Sequence, residues 1–230
     1  MRYAATAVAL LLAAAPARAQ EHGDHQHDQA ETSETRRDNP AEQPRPEGWL
    51  LRLDRPDRGT TEDIVFADMP PGFHVTTGPA VLMHHPDSTA SGTYRIDADV
   101  FLFDPGERRE GYGIFFGGRD LEGPSQQYVY FLLRRDGKYL IKAREGEETS
   151  VVRDWTDHAS IRSWDARPEG EPTVQNALSV QIGPQDVAFL VNGTEVTRVP
   201  RSELPSTDGA FGLRVNHSLN LHVTSVRATR

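Results

Sequence analysis

The chain has 230 residues, a formal net charge of −9 at pH 7 and no Cys. Acidic and basic residues are interspersed along most of it, so no basic stripe indicates a nucleic-acid partner. Without Cys there is neither a disulfide framework nor a site for lipid modification, and a folded domain must be stabilised by its own hydrophobic core.

The first stretch of the chain has the pattern of a cleavable export signal. Arg2 precedes an apolar run from Ala4 to Ala15, and Ala17-Arg18-Ala19 has the small-x-small arrangement that signal peptidase reads. The run is shorter than the roughly 20 residues that cross a bilayer, and charged residues follow it directly, so no membrane span is expected. We therefore expect a signal peptide at residues 1–19 and a bacterial protein that is periplasmic or secreted.

Residues 20–48 predict a disordered polar tether. They lack aromatic residues and apolar periodicity, so they cannot bury enough apolar surface to fold. His22, His25 and His27 lie among carboxylates near its start and are candidate ligands for weak binding of Zn, Cu or Ni. A solvated spacer is the preferred alternative, because a mobile site loses chain entropy when it closes on a metal. No cofactor is expected.

From Trp49 onward the apolar pattern has a period of two, which indicates β-strands. Asp136-Gly137 and Asn192-Gly193 are residue pairs that tolerate the positive φ angles of tight hairpin turns. The strands that flank these turns are Gln127–Arg134 with Lys138–Arg144, and Val187–Val191 with Thr194–Val199. Further strands are expected near residues 73–76, 80–84, 92–103, 111–117, 177–182, 209–216 and 219–227.

This many short antiparallel strands in residues 49–230 predict one all-β domain, an antiparallel two-sheet sandwich. Residues 154–173 are expected to form a longer irregular connection that carries Trp155 and Trp164. Such a loop either packs over a sheet edge or lines a binding site, and the sequence favours neither alternative.

The order of the segments resembles a known superfamily. The segments that carry the resemblance are Tyr112–Gly118, Tyr128–Tyr139, Trp155, Ala159–Ile161, Asn176–Val180, Phe189–Gly193 and Gly209–Val215. Together they resemble the jelly rolls of the concanavalin A-like lectin/glucanase superfamily, closest to the laminin-G-like and keto-disaccharide-hydrolase-like domains of bacterial exported proteins. The resemblance implies a jelly-roll sandwich with glycans bound or cleaved on its concave sheet.

Two motifs of the superfamily are absent from the sequence. The Glu-x-Asp-x-x-Glu strand of family-16 glycanases does not occur, which argues against their retaining mechanism. The cluster of metal-binding Asp and Asn residues that legume-type lectins carry is not found either.

Strand alternation separates core-facing residues from residues on the opposite face. The opposite face carries the candidate ligand-binding residues Tyr128, Tyr130, Arg134, Arg214 and Asn216, and the candidate catalytic residues Asp97, Asp99 and His222. If these residues share one sheet, the tyrosines can stack on sugar rings while the polar groups contact hydroxyls. The alternative is ordinary cross-strand pairing on a solvated face.

Three functions follow from these patterns. The leading hypothesis is an exported, non-catalytic sandwich that binds a carbohydrate or another cell-envelope ligand on the concave sheet. The second is a glycosidase-type hydrolase acting on a sugar derivative, with Asp97 and Asp99 as acid and base assisted by His222. The third is a structural or protein-interaction sandwich.

Overall fold

The computed structural model describes residues 45–230 of the chain. The expected signal peptide, most of the expected tether and the candidate metal ligands His22, His25 and His27 lie outside the described residues. Within residues 45–230, no helix has the length and apolarity needed to cross a membrane. The same residues contain no group of three or more His, Asp or Glu side chains arranged to hold a metal ion.

One of the two sheets of the domain has eight strands. Its members are β1 (Leu50–Leu53), β4 (Val81–His84), β5 (Thr89–Ala90), β7 (Gly111–Arg119), β8 (Gln127–Arg134), β9 (Lys138–Glu145), β10 (Glu148–Asp157) and β14 (Gly209–Val215). Their order is β1-β4-β14-β7-β8-β9-β10, with β5 paired to β14 beside this path. All pairs are antiparallel.

The other sheet has seven strands. They are β2 (Val65–Asp68), β3 (Phe73–Thr76), β6 (Tyr94–Leu102), β11 (Val174–Ile182), β12 (Asp186–Val191), β13 (Thr194–Pro200) and β15 (Asn220–Thr229). Their order is β13-β12-β11-β6-β15-β3-β2, again with antiparallel pairs throughout. Short 3-10 turns at Pro56–Arg58, Thr61–Asp63 and Arg201–Glu203 are the only helical elements among residues 45–230.

The two sheets pack face to face through alternate residues of their strands. In β6, Ile96, Ala98 and Val100 are buried in the core, while the residues between them are partly exposed. The ring of Phe131 in β8 lies 5.2 Å from that of Phe189 in β12, so an aromatic contact joins the sheets. Burial of a ring of this size stabilises the fold by about 2–3 kcal/mol.

These observations confirm the expected all-β antiparallel sandwich. Every expected strand is present, two of them (β3 and β8) with the expected bounds and the others with ends shifted by one to three residues. Sequence analysis missed β1, β2, β5 and β10. Three of them are only two to four residues long. The fourth, β10, is an edge strand without buried residues, so it lacks the apolar alternation that marks a strand.

The expected irregular connection at residues 154–173 is wrong in its first part, because β10 continues to Asp157. The rest of the connection packs on the sandwich. Trp164 belongs to the core between the sheets, and the guanidinium of Arg167 lies 3.7 Å from the centroid of its ring. Trp155, in contrast, packs on the outer face of the eight-stranded sheet.

A buried amide network fixes this connection to the seven-stranded sheet. Asn176 is 0% exposed, and its Oδ1 accepts hydrogen bonds from the Arg162 backbone N–H at 3.0 Å and from Asn192 Nδ2 at 2.9 Å. Its Nδ2 donates to the Arg162 carbonyl oxygen at 3.0 Å. Asn192 has a φ of 51° in the hairpin turn and also donates to the Ser160 carbonyl oxygen at 2.7 Å. The turn and the connection are therefore held by the same two side chains.

Replacing Asn176→Ala leaves several buried polar groups without partners, each of which costs about 1–3 kcal/mol. We expect the free energy of unfolding to fall by about 3 kcal/mol, measured by urea denaturation with Trp fluorescence. The matched control is Gln175→Ala at the neighbouring exposed position, for which a change within about 0.5 kcal/mol is expected. Equal stability of the two variants would contradict the role given to the amide network.

Candidate functional site

The outer face of the eight-stranded sheet carries a second hydrophobic cluster, separate from the core between the sheets. Its buried members are Leu82, Phe115, Leu121, Tyr128, Tyr130, Leu132 and Leu140. Leu121 comes from the connection between β7 and β8, and Trp155 of β10 packs against the cluster as a partly buried residue. The eight-stranded sheet is therefore apolar on both faces. We call its outer face, with these residues and the charged side chains described next, the Arg214 face.

Strand register places charged side chains within this cluster. Leu82 of β4 lies between Arg52 of β1 and Arg214 of β14 in the cross-strand pairing. On the other side of the sheet, Tyr130 is paired with Lys142 and Tyr128 with Arg144 of β9. The two tyrosines thus have basic neighbours on β9. Leu82 has basic neighbours on β1 and β14.

Arg214 and Asp54 form a buried ion pair at the centre of the Arg214 face. The guanidinium donates from Nη1 to Asp54 Oδ1 at 2.7 Å and from Nη2 to Asp54 Oδ2 at 2.5 Å. The Tyr128 hydroxyl donates to Asp54 Oδ1 at 3.2 Å, and the Arg214 guanidinium carbon lies 4.5 Å from the centroid of the Tyr130 ring. This two-pronged geometry with an aromatic neighbour is the arrangement in which Arg pairs most strongly with a carboxylate.

The ion pair shifts the pKa values of its members. Burial acts to raise the pKa of Asp54, but the hydrogen bonds and the charge of Arg214 outweigh it and lower that pKa to about 2. Burial raises the pKa of Tyr128 to about 12, so its hydroxyl stays protonated and can donate to Asp54. Asp54 therefore carries its negative charge throughout the neutral pH range.

Two guanidinium nitrogen atoms on the Arg214 face lack hydrogen-bond acceptors among the described residues. They are Arg214 Nε and Arg52 Nη1, both buried. Arg52 Nη1 forms an ion pair with Asp54 Oδ1 at 3.9 Å, a distance too long for a hydrogen bond. The side chain of Arg214 is only 8% exposed, so its unpaired N–H is shielded from bulk water. Buried donors of this kind are uncommon in folded proteins and mark a place where an acceptor would be favourable.

The candidate residues named from sequence do not form one site. Tyr128, Tyr130, Arg134 and Arg214 lie on the eight-stranded sheet, whereas Asp97, Asp99 and His222 lie on the seven-stranded sheet. Alternation assigns all of them to outer faces, and these two faces point away from each other across the core. The expectation of one shared sheet is therefore wrong, because alternation does not identify which strands are neighbours.

The individual ligand-binding candidates have different surroundings. Tyr128 is 0% and Tyr130 is 5% exposed, so their rings support the surface instead of presenting a flat stacking platform. Arg134 pairs with Asp136 at 2.8 and 2.7 Å, and its guanidinium lies 4.4 Å from the centroid of the Trp155 ring. Asn216 directly follows β14, where its backbone carbonyl accepts a hydrogen bond from the Thr77 hydroxyl at 2.9 Å.

The three catalytic candidates lie on two neighbouring strands, with Asp97 and Asp99 on β6 and His222 on β15. Asp97 Oδ1 accepts hydrogen bonds from Arg95 Nε at 2.7 Å and from the Ser179 hydroxyl at 2.5 Å. His222 of β15 is paired with Phe101 of β6, which is two residues along that strand from Asp99. Burial lowers the pKa of His222, although backbone hydrogen bonds oppose this shift. The carboxylate of Asp97 thus takes part in local pairing on the seven-stranded sheet.

Sequence analysis missed Asp54 and left Arg52, Lys142 and Arg144 out of the site. Asp54 follows β1, a four-residue strand that was not expected. The available signal was the segment Leu51-Arg52-Leu53-Asp54, in which apolar and charged residues alternate as in a half-buried strand. Lys142 and Arg144 follow the alternation of β9, but only the structure shows which side chains they face.

The Asp54–Arg214 pair predicts a pH-dependent stability. Because the pKa of folded Asp54 lies below its ordinary value of 3.8, the stabilisation is present above about pH 4 and is lost as the pH falls through about 2. We expect the difference in free energy of unfolding between the wild type and Asp54→Asn to shrink by about 2 kcal/mol between pH 7 and pH 2. Denaturant unfolding at several pH values measures it. Asp68→Asn at an exposed position is the control, and a difference that does not change with pH would contradict the prediction.

Comparisons with known proteins identify the fold. No family model matches the chain, and no curated protein sequence matches it. Among solved structures, the carbohydrate-binding module CBM66 from Bacillus subtilis is similar, with a TM-score of 0.54 and 13% identity over 80% of this chain and 96% of that one.

Two further solved structures are similar to this chain in fold. A glycoside hydrolase of family 16 from Bacteroides ovatus has a TM-score of 0.56 and 8% identity over 80% of this chain and 96% of that one. A protein of unknown function with a galectin-like fold from Bacillus subtilis has a TM-score of 0.56 and 10% identity, covering 78% of this chain and 88% of that one. The described residues thus share a two-sheet β-sandwich fold with these structures.

Proposed function

We propose that the protein is an exported, non-catalytic carbohydrate-binding sandwich whose ligand contacts the Arg214 face. The observation that carries this proposal is the set of aromatic and charged groups that the Asp54–Arg214 pair holds together on one sheet face. Surfaces that combine apolar rings with a few oriented polar groups are the usual form of a small-ligand site. Export belongs to the same proposal and depends on the signal-peptide pattern at the start of the chain.

The buried and the partly exposed residues of this face have different roles in the proposal. Tyr128 and Tyr130 form a rigid layer that fixes Arg214 and Asp54. The side chains with accessible surface above that layer are Arg52, Lys142, Arg144 and Trp155. The part of Trp155 that stays accessible beside Arg134 can contact the apolar side of a sugar, while the basic side chains donate hydrogen bonds to its oxygen atoms.

The fold supports the proposal in general terms. The printed names of two structures with the same fold describe a carbohydrate-binding module and a family-16 glycoside hydrolase in complex with a product. Because identities of 8–13% relate these chains only by fold, the binding residues must be argued from this protein's own side chains. The Arg214 face provides such residues, and it provides no pair of free carboxylates across which a glycosidic bond could be cleaved.

The first prediction from this proposal concerns an accessible aromatic residue. We expect the purified protein to bind a subset of glycans on a polysaccharide array, and Trp155→Ala to weaken that binding by about fivefold, because contact with an aromatic ring contributes roughly 1 kcal/mol. The affinity is measured by titration calorimetry on a glycan that the array selects.

The matched control for this prediction is Arg227→Ala on the outer face of the seven-stranded sheet. It should leave glycan affinity unchanged. Circular dichroism and thermal unfolding of both variants separate a binding defect from a folding defect. Absence of binding to every glycan on the array, or equal loss in both folded variants, would contradict the proposed function.

The second prediction concerns turnover. Since Asp97 is held by Arg95 and Ser179, and since His222 faces Phe101, we expect no release of reducing sugar from any glycan that binds. Long incubation followed by a reducing-end assay measures this, with the Asp97→Asn, Asp99→Asn double variant as control. Hydrolysis by the wild type that the double variant lacks would establish the glycosidase-type hydrolase instead.

A further inference from the structure

We infer that the glycan bound by the Arg214 face is acidic, with carboxylate or sulfate groups on its sugars. This inference rests on the proposed function and specifies its ligand class. It is drawn from the charge, the placement and the hydrogen-bonding state of the side chains on that face.

The charge of the Arg214 face is opposite in sign to that of the whole chain. The protein has a formal net charge of −9. Arg134 on this face is paired with Asp136, and four further cationic side chains lie there, namely Arg52, Lys142, Arg144 and Arg214. Asp54 is the carboxylate that pairs with Arg52 and Arg214. The local excess of positive charge attracts anions to a surface whose surroundings would repel them.

The cations are placed where a ligand on this face would meet them. Lys142 and Arg144 stand directly across the strand pair from Tyr130 and Tyr128, so they border the aromatic layer on one side. Arg52 borders it from β1, on the far side of Arg214. Within the described residues neither Lys142 nor Arg144 forms an ion pair with a carboxylate. Their charges are therefore available to an external anion.

The unpaired nitrogen atoms point to the same ligand chemistry. Arg214 Nε and Arg52 Nη1 are buried N–H donors without acceptors among the described residues. A buried donor left without a partner destabilises a protein, and charged donors do so more strongly than neutral ones. The oxygen atoms of a carboxylate or a sulfate are the acceptors that match a guanidinium best, since they bind it through two parallel hydrogen bonds.

Asp54 shows how an anion is accommodated on this face. Its carboxylate already occupies Nη1 and Nη2 of Arg214, so the ligand is not required to displace it. The positions left for a ligand anion are the partly exposed side chains of Arg52, Lys142 and Arg144. A neutral sugar would leave the excess positive charge uncompensated, whereas an acidic sugar neutralises it.

The test uses two pairs of oligosaccharides that differ only in charge. One pair is oligogalacturonate and its methyl-esterified form, which compares a carboxylate with a neutral ester. The other is a sulfated galactan oligosaccharide and its desulfated form. Titration calorimetry with the purified protein should show that the charged member of at least one pair binds at least about tenfold more tightly than its neutral partner. Raising the salt concentration from about 0.05 M to about 0.5 M should reduce this difference in affinity. The pair that shows the effect identifies the anionic group.

Matched variants connect the effect to the Arg214 face. The Lys142→Gln, Arg144→Gln double variant should lose most of the preference for the charged oligosaccharide. The Arg198→Gln, Arg227→Gln double variant removes the same number of positive charges from the seven-stranded sheet and should keep it. Thermal unfolding checks that both variants remain folded.

The possible outcomes separate the two proposals. Binding of neutral glycans as tight as that of the charged members would overturn the acidic-ligand inference while leaving the carbohydrate-binding function in place. Equal loss of preference in both double variants would also overturn it, because the effect would then follow net charge and not this face. If neither these probes nor any neutral glycan binds, the proposed function itself fails.

Discussion

The ion pair between Asp54 and Arg214 determines the organisation of one whole face of the sandwich. The two residues are 160 positions apart in the chain, and their hydrogen bonds connect the segment after the edge strand β1 to the interior strand β14. A guanidinium this deeply buried is tolerated only with a carboxylate in good geometry, because removing one partner leaves an uncompensated charge. The tyrosines at positions 128 and 130 then pack around the pair through a hydroxyl group and a ring face.

The Asp54–Arg214 pair can be buried because the outer surface of the eight-stranded sheet is covered, whereas that of the seven-stranded sheet is solvated. In the seven-stranded sheet, β6 alternates strictly between buried and partly exposed residues, as expected for a sheet with one solvated side. In the eight-stranded sheet, β8 is buried at six consecutive positions and β7 at eight. Apolar side chains on both sides of a sheet lower the local dielectric constant around Arg214, so its contacts with Asp54 are stronger than they would be in water. The proposed ligand site is thus a consequence of how this sheet is covered.

The sequence predicts much of the fold and only fragments of the site, for identifiable reasons. The hairpins at Asp136-Gly137 and Asn192-Gly193 and the strand β6 carry local signals, namely turn residues and a period of two, and both kinds of signal act within a few residues. Asp97 and Tyr128 were assigned correctly to outer faces. Their separation onto different sheets depends on long-range strand pairing, which alternation does not encode. Likewise, nothing local distinguishes a solvated tyrosine from Tyr128, whose burial depends on residues far along the chain.

The measurement that tests the proposed site most directly is an NMR titration of the ¹⁵N-labelled protein with an oligosaccharide that it binds. The spectrum reports the side-chain Nε–H groups of arginine and the indole N–H of tryptophan individually. Ligand on the Arg214 face should shift the Arg214 Nε–H and Trp155 Nε1–H signals, because both groups belong to this face and a sugar bound next to them changes their surroundings. The signals of Arg95 and Arg227, on the outer face of the seven-stranded sheet, should stay in place. Shifts confined to Arg95 and Arg227 at saturating ligand would contradict the assignment of the site.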